Sequence, residues 1–542
     1  MCGVFGYIGA DNHSIKRTIA GLKDLEYRGY DSWGVVVDTP TKFFIRKSVG
    51  KISVVRERDF RNVLGTLSLG HSRWATHGGV TKKNAHPHTN ACKTIAVVHN
   101  GIIENYALLR KKLSGKKFVS ETDTEVVPHL IEYYMDQGHS FADAFVRTTR
   151  ELRGRFAIVA VHHGESRIMV ARNGSPLIIG RGVGETFIAS DIPAFLSYTK
   201  TVNYLDDGEY ATIDRNDVTV HSLASGKIHP KKDVVIEWGK ESASKDNFAH
   251  FMIKEIFEQK DALRRVLSQE KKDLARAVDM IYRAKHIYIV GCGTAAHMGR
   301  AGEQFFSRYG KKETRVVPAS EFSLVEPFLD AKTLVIAISQ SGETADVLEA
   351  VGLARKRKAT VLSLLNVQGS TLERVSYFSL FIKAGPEKAV ASTKAASVQM
   401  TLLLLLACSL DKKSKTRIHE IIDAIGKMND WLNPQYFTYV QKVAEIIARH
   451  DHMYTIGRGV LFPVALEAAL KIQEVSYIHA EGFAGGELKH GPIALVEKGT
   501  PILALVGDDE AKEDIRSNIA ELRARGAFIV GIGAKEDELF DL

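Results

Sequence analysis

Cysteine is scarce: four in 542 residues, at Cys2, Cys92, Cys292 and Cys408. None stands in a C-x-x-C pair or another metal-type spacing, so neither a disulfide framework nor a cysteine-held metal is expected, and a reducing cytoplasm is the expected compartment. Long apolar runs are lacking too. The most apolar stretch, Ala395 to Leu410, contains Ser397, Gln399 and Thr401 and is bounded by Lys394 and Asp411. It falls short of the roughly 20 residues a membrane span needs, so a buried helix and no membrane partner are expected. No basic segment followed by an apolar one opens the chain, so no secretory leader is expected. Charge of one sign is not in large excess: 73 Lys and Arg against 64 Asp and Glu leave +9. That suits an anionic small substrate without requiring one. The basic runs at Arg355–Lys358 and Lys412–Lys415 lack interleaved aromatics and read as solvated faces, so no nucleic-acid partner is expected.

What is present is ordinary globular material, 45% hydrophobic and 25% charged, long enough for about three domains. The chain opens Met1-Cys2-Gly3-Val4-Phe5-Gly6. Removal of Met1 would leave Cys2 with a nucleophilic thiol and an α-amine, of pKa near 8, able to take its proton. Short β-type runs follow at 34–37, 94–98, 156–161 and 186–190, with helical patterns at Ser14 to Glu26 and Glu125 to Gln137 between them. This pattern suggests stacked sheets covered by helices.

Four polar clusters interrupt it: Tyr27–Ser32, Gly70–Gly79 with His86-Pro87-His88, His99–Asn105, and Ser120–Glu125, which also stands where a helix would be capped. Each has a plain structural alternative. Asn100-Gly101 is the favoured pair of a tight hairpin turn, and Asp123 or Thr122 could be a helix cap. His71, His77, His86 and His88 match no common metal spacing. Beside Cys2 the clusters suit carboxamide chemistry. A thiolate attacking an amide needs oxyanion donors, which Asn100 and Gly101 could supply. An amino-acid substrate needs a guanidinium and a carboxylate, which Arg73 and Asp123 could supply. The combination resembles the class II glutamine amidotransferase domain, an N-terminal-nucleophile hydrolase, over about the first 230 residues. The resemblance implies an αββα sandwich, Cys2 as nucleophile, Asn100 and Gly101 as oxyanion hole, and a glutamine site of Arg73, Trp74, Thr76, His77, His86 and Asp123. Trp33 departs from the family's small residue in the R-G-Y-D-S-x-G run. The family's tryptophan, here Trp74, is associated with an ammonia channel, which implies an acceptor domain.

From Glu237 the character changes to a linker and helices, through Arg283. His286–Val290 then reads as a buried parallel strand running into Gly291-Cys292-Gly293-Thr294, and Leu334–Ile338 as another running into Ser339-Gln340-Ser341-Gly342-Glu343-Thr344. A strand, a hydroxyl-rich loop and a helix start can hold a phosphate. A dinucleotide fingerprint does not fit, since position 296 is Ala rather than the third glycine. Cys292 reads as a small loop residue. The run His286-Ile-Tyr-Ile-Val-Gly-Cys-Gly recurs as His452-Met-Tyr-Thr-Ile-Gly-Arg-Gly, which predicts two copies of one α/β unit. Both copies resemble the sugar isomerase (SIS) domain, a flavodoxin-like parallel sheet whose S-Q-S-G-E-T loop binds sugar phosphate.

In the second copy Glu467, Lys471 and Glu474 fall on one helix face, and a dense ionisable segment runs from Tyr477 to Pro492. Aldose–ketose isomerisation needs a carboxylate between C1 and C2 and an acid–base group for ring opening. Taken whole, the chain resembles the isomerising glutamine–fructose-6-phosphate aminotransferase family. That resemblance implies glutamine and fructose 6-phosphate as substrates, no cofactor and a homodimer. It assigns Glu474 to proton shuttling, His490 to ring opening in the partner's site, and Lys471 to a supporting role. It gives Thr294, Ser339, Gln340, Ser341, Thr344 and Ser392 as sugar-phosphate contacts. The family's P-R-N-L-A-K-S-V context, with its Schiff-base lysine, does not occur in these 542 residues. The second SIS unit is therefore expected to be incomplete and the sequence a piece of a longer chain. The alternatives are a different sugar-phosphate acceptor, a tail-less chain retaining glutaminase only, or a sensor that binds sugar phosphate without turnover. The expected organisation is a glutaminase domain over 2–238, linker and helices over 239–283, a first SIS domain over 284–411 and a second over 450–542.

Overall fold

The structure, a computed structural model, describes residues 2–236, 245–411, 414–431, 433–533 and 537–542. The linker expected at Glu237–Lys240 and the lysines Lys412 and Lys413 lie outside them. The chain divides into two compact units, Met1–Ser244 and Lys245–Leu542. Among the described residues no helix is long and apolar enough to cross a membrane.

The first unit is two antiparallel sheets, one of eight strands and one of six. The N-terminal strand Gly3–Gly9 lies inside the larger sheet, hydrogen-bonded on one side to Leu67–Arg73 and on the other to Glu185–Ala189. Side chains alternate across a strand, and the alternation sorts this unit into layers. Val4, Ile8 and Val36 meet Ala96, Val98, Val159 and Val170 of the smaller sheet in the inner core. Phe5, Tyr7, Val35 and Val37 face outward onto Ile15, Ile19 and Leu22. These lie on the helix Ser14–Asp24, whose apolar spacing places them on one face. On the other outer face Ile95, Val97 and Ile158 pack against Val127, Leu130, Ile131 and Phe145 from the helices Val126–Met135 and Phe141–Glu151. The result is the helix–sheet–sheet–helix order expected.

The second unit carries two all-parallel sheets. In the first, Arg315–Pro318, His286–Gly291, Thr333–Ser339, Thr360–Leu365 and Phe378–Phe381 lie side by side in that order. In the second the order is His479–Ala484, His452–Gly457, Pro501–Val506 and Phe528–Gly533. Numbered along the chain these are 2-1-3-4-5 and 2-1-3-4, so the sequence repeat is also a repeat of topology. A parallel sheet is covered on both faces, which is why its strands are continuously apolar. Ile287, Ile289, Ile336, Ile338 and Leu364 face one helical layer, where the helix Lys394–Ser409 is buried as its composition predicts. Tyr288, Val290, Val335, Ala337 and Val361 face the layer of the helix Ala345–Lys356. The helices Ser414–Trp431 and Pro434–Ile447 join the two copies in sequence.

Gly21 sits where the helix Ser14–Asp24 crosses the Phe5 ring, and an added Cβ would collide with that ring. Alanine gains about 1 kcal/mol of helix propensity over glycine. Overfilling a packed core costs about 1–3 kcal/mol. Gly21→Ala is therefore expected to lower the thermal midpoint of the first unit. An unchanged or raised midpoint would show that Phe5 moves aside freely.

Candidate active site

Cys2 is held at the edge of the buried N-terminal strand by groups from distant segments. Its Sγ lies 3.4 Å from the Trp74 N–H, which donates to it, and 3.5 Å from the Trp74 carbonyl. The Asn100 side chain brackets its backbone: Oδ1 accepts from Cys2 N at 3.4 Å and Nδ2 donates to Cys2 O at 3.4 Å. Arg28 Nε donates to the same carbonyl at 3.3 Å, and its Nη1 pairs with Asp191 at 3.0 Å. Burial pushes the Cys2 thiol up, opposed by the Trp74 N–H and by the positive charges of the amino terminus, Arg73 and Arg28. Burial thus favours the protonated thiol.

Asn100-Gly101 is not a hairpin turn. The strand Ile95–Ile103 runs straight through it, with Asn100 opposite Ala157 and Gly101 opposite Phe156. Gly101 has φ +135°, and a Cβ there would collide with the Arg155 carbonyl, so glycine alone fits. Arg73 ends the strand Leu67–Arg73, and its guanidinium donates to the carbonyls of Gly79 at 3.1 Å and Gly78 at 2.9 Å. It therefore shapes the loop after it. On that loop Trp74 is 39% exposed with its ring edge-on to Tyr30, Thr76 is exposed, and His77 meets the Tyr106 ring. Asp31 Oδ2 accepts the Ala75 N–H at 2.8 Å.

Asp123 is buried, and its Oδ2 accepts the Ile103 N–H at 2.7 Å. Neither it nor Thr122 caps a helix. The helix starts at Val126, and Glu125 at its N-cap makes no side-chain capping bond. The Glu125 carboxylate instead accepts from Val119 N and Ser120 N, which ties the cluster back on itself. His86 is buried, stacked on His71 with ring centroids 4.0 Å apart. Among the described residues no group of three or more His, Cys, Asp or Glu side chains could hold a metal.

In the second unit the polar loops gather at one point. From His286–Gly291 the chain goes to Arg315–Pro318 on one side and then crosses to Thr333–Ser339 on the other. Ligands of open parallel sheets bind where strand order reverses in this way. Thr294 follows the first of these strands, and Ser339–Thr344 ends the second. Ser339 Oγ and Thr344 Oγ1 are 3.0 Å apart, Ser339 Oγ accepts the Gly342 N–H at 3.0 Å, and Ser341 Oγ accepts the Glu343 N–H at 3.2 Å. Gln340 is half-buried, and its carbonyl accepts from Asn366 N. Ser392 Oγ donates to Glu387 at 2.9 Å. The matching switch point of the second sheet carries Gly507-Asp508-Asp509-Glu510, which offers no hydroxyl and whose carboxylates pair with Arg308 and Lys512.

The second copy contributes a helix face instead. On Leu461–Ser476, Lys471 Nζ lies 3.3 Å from Glu467 and 2.5 Å from Glu474, and it donates to Thr294 Oγ1 at 3.1 Å. Glu467 also accepts from Thr294 Oγ1 at 2.8 Å and meets His297 Nδ1 at 2.9 Å. This is an interface between the repeats, not a solvated stripe. His490 is exposed on the turn Gly485–His490, and among the described residues no hydrogen bond or ion pair joins it to this cluster. The Cys292 thiol is pushed up to about 11 by burial and by Asp346, so it rests protonated.

A glutamine amidotransferase domain model matches residues 71–197, and a SIS domain model matches residues 280–409 and 446–539. The chain is 41% identical over 548 residues to a glutamine–fructose-6-phosphate aminotransferase (isomerising) of Pyrococcus horikoshii, covering 98% of this chain and 90% of that protein. The chain belongs to this family. A Thermococcus kodakarensis member is 42% identical, covering 99% of this chain and 91% of that protein. Among solved structures, the C-terminal domain of glucosamine-fructose-6-phosphate aminotransferase from Francisella tularensis is 35% identical with a TM-score of 0.50, covering 54% of this chain and 85% of that one.

Several polar groups around these aminotransferase-family loops escaped sequence reasoning because their partners are far away in the chain. Asp191 holds Arg28 across more than 160 residues, Glu387 orients Ser392, and Glu255 accepts the Lys388 N–H at 2.6 Å and the Ala389 N–H at 3.1 Å. Burial pushes Glu255 up to about 7, with Glu387 adding to the effect, against the Lys388 and Ala389 N–H groups and Lys394. The folded state thus holds a proton that the unfolded carboxyl releases near 4.3, and the stability tied to it fades as pH rises from there to about 7. Gln at 255 stays neutral and keeps an oxygen for both N–H groups. Glu255→Gln is expected to gain stability relative to wild type between about pH 5 and about pH 8, read from unfolding midpoints. A pH-independent difference would contradict the shift.

Proposed function

We propose that this chain converts glutamine and fructose 6-phosphate to glutamate and glucosamine 6-phosphate. The carrying observation is the coexistence of a Cys2–Asn100–Trp74 constellation in one unit with a hydroxyl-rich switch-point loop in the other. It occurs in a chain similar over 98% of its length to an aminotransferase of that name.

In this reading Cys2 Sγ attacks the glutamine carboxamide, and its proton passes to the α-amine freed by loss of Met1. The oxyanion is met by Asn100 Nδ2 and the Gly101 N–H. Arg73 and Asp123 bind the substrate carboxylate and ammonium, with Trp74, Thr76 and His77 closing over them. Collapse expels ammonia and leaves a glutamyl thioester, which water cleaves to glutamate. Ammonia then adds to the sugar carbonyl, and the carbonyl oxygen leaves as water to give an imine at C2. Ser339, Gln340, Ser341 and Thr344 take the phosphate, with Thr294 and Ser392 on the sugar. Glu474, paired with Lys471, carries the proton between C1 and C2. His490 opens the ring from the partner subunit, which makes the working form a homodimer. None of these steps calls for a cofactor. Four free cysteines suit a cytoplasmic setting.

The test is incubation with glutamine and fructose 6-phosphate, assaying glutamate and glucosamine 6-phosphate separately. Wild type is expected to yield both. Glutamate without amino sugar would leave the amination to a lysine outside these residues. Cys2→Ala is expected to abolish glutamate release, and retained release contradicts the reading. Glu474→Gln is expected to slow isomerisation of fructose 6-phosphate by about 10²–10⁴-fold while leaving glutamate release intact.

A further inference from the structure

We propose that His86 and His71 are positioning residues of the glutaminase site, which clamp the His99 backbone at its N–H and its carbonyl and so fix Asn100 and Gly101 as oxyanion donors. This rests on the glutaminase reading above, and it gives His86 a role behind the site rather than a contact with glutamine.

The edge of the strand Ile95–Ile103 is paired only briefly. Its partner His88–Thr89 meets it at Val97 and Ala96. Continued in that register, His86 stands opposite His99, and the His86 side chain takes the place of a backbone carbonyl. The His99 N–H donates to His86 Nδ1 at 3.2 Å. On the same residue the carbonyl oxygen accepts from His71 Nε2 at 2.9 Å. His71 comes from the facing sheet, on the strand that ends in Arg73. These contacts set the tautomers. His86 must present a lone pair at Nδ1, and His71 must carry its proton at Nε2.

Stacking locks the pair, with ring planes 14° apart. Burial keeps both rings neutral, pushing His71 down to about 3 and His86 well below its ordinary value. The His99 ring is engaged as well: its Nδ1 meets Thr124 Oγ1 at 2.8 Å, and that hydroxyl reaches Asp123 at 3.4 Å. The residue just before Asn100 is thereby held at its N–H, carbonyl and side chain. Oxyanion donors act only when placed before charge develops, and a shift of about 1 Å can cost about a hundredfold in rate.

The experiment measures glutamate release by the full chain carrying His86→Phe, His86→Asn, His71→Phe or Cys2→Ala. Phenylalanine keeps a ring to stack but loses the acceptor. Asparagine offers Oδ1 close to where Nδ1 stood. His86→Phe is expected to lower kcat about 10- to 100-fold with KM for glutamine within about threefold of wild type, and His86→Asn to recover most of it. Wild-type kcat in His86→Phe, or equal impairment of Phe and Asn, overturns the proposal. Should His86→Phe not fold, His71→Phe carries the comparison through the lost carbonyl donor, and wild-type kcat there overturns it. Glutamate release by Cys2→Ala would instead overturn the glutaminase reading.

Discussion

The second unit depends on one polar contact, the reach of Lys471 from one repeat to Thr294 of the other, beside Glu467 and His297. A lysine and two carboxylates at a helix–helix interface cost desolvation that only mutual pairing offsets. Here each charge has its partner: Lys471 lies between Glu467 and Glu474, and Glu467 is also met by Thr294 and His297. The pairing brings the second copy's ionisable helix to the first copy's switch point. Two sheets of the same topology thus become unequal, one supplying hydroxyls at its loops and the other a charged helix face.

The first unit rests on a different constraint. Its N-terminal strand is paired along both edges, so the residue just before it cannot wander. Strand pairing sets the position of Cys2. Arg28 and Asn100 then fix its backbone, and Trp74 meets its sulfur. The outward face of the same strand packs Phe5 and Tyr7 under a helix, so the position of Cys2 draws on the outer core.

Much of this was legible because it is local. Alternating strands, the helix from Ser14, the two copies signalled by His286 and His452, and the face shared by Glu467, Lys471 and Glu474 are all local signals. Where local chemistry offered two outcomes, context decided. Asn100-Gly101 has the composition of a turn, but the partner strand Gly154–His162 extends past it and keeps it in the sheet. Ser120–Glu125 has the composition of a helix cap, but Glu125 turns back to Val119 and Ser120. The partners Arg28–Asp191, Ser392–Glu387 and the His71–His86 stack leave no periodic trace, since each joins segments that only the folded topology brings together.

On the proposed function, phosphate binds once per chain, at the hydroxyl-rich loop Ser339–Thr344, because the matching loop of the second sheet, Gly507–Glu510, carries no hydroxyl. The most direct measurement is a calorimetric titration of fructose 6-phosphate into wild type and Ser339→Ala. The account predicts one site per chain, weakened about tenfold or more in the variant through loss of a charge-assisted hydrogen bond. Two sites per chain, or undiminished affinity in Ser339→Ala, would contradict it.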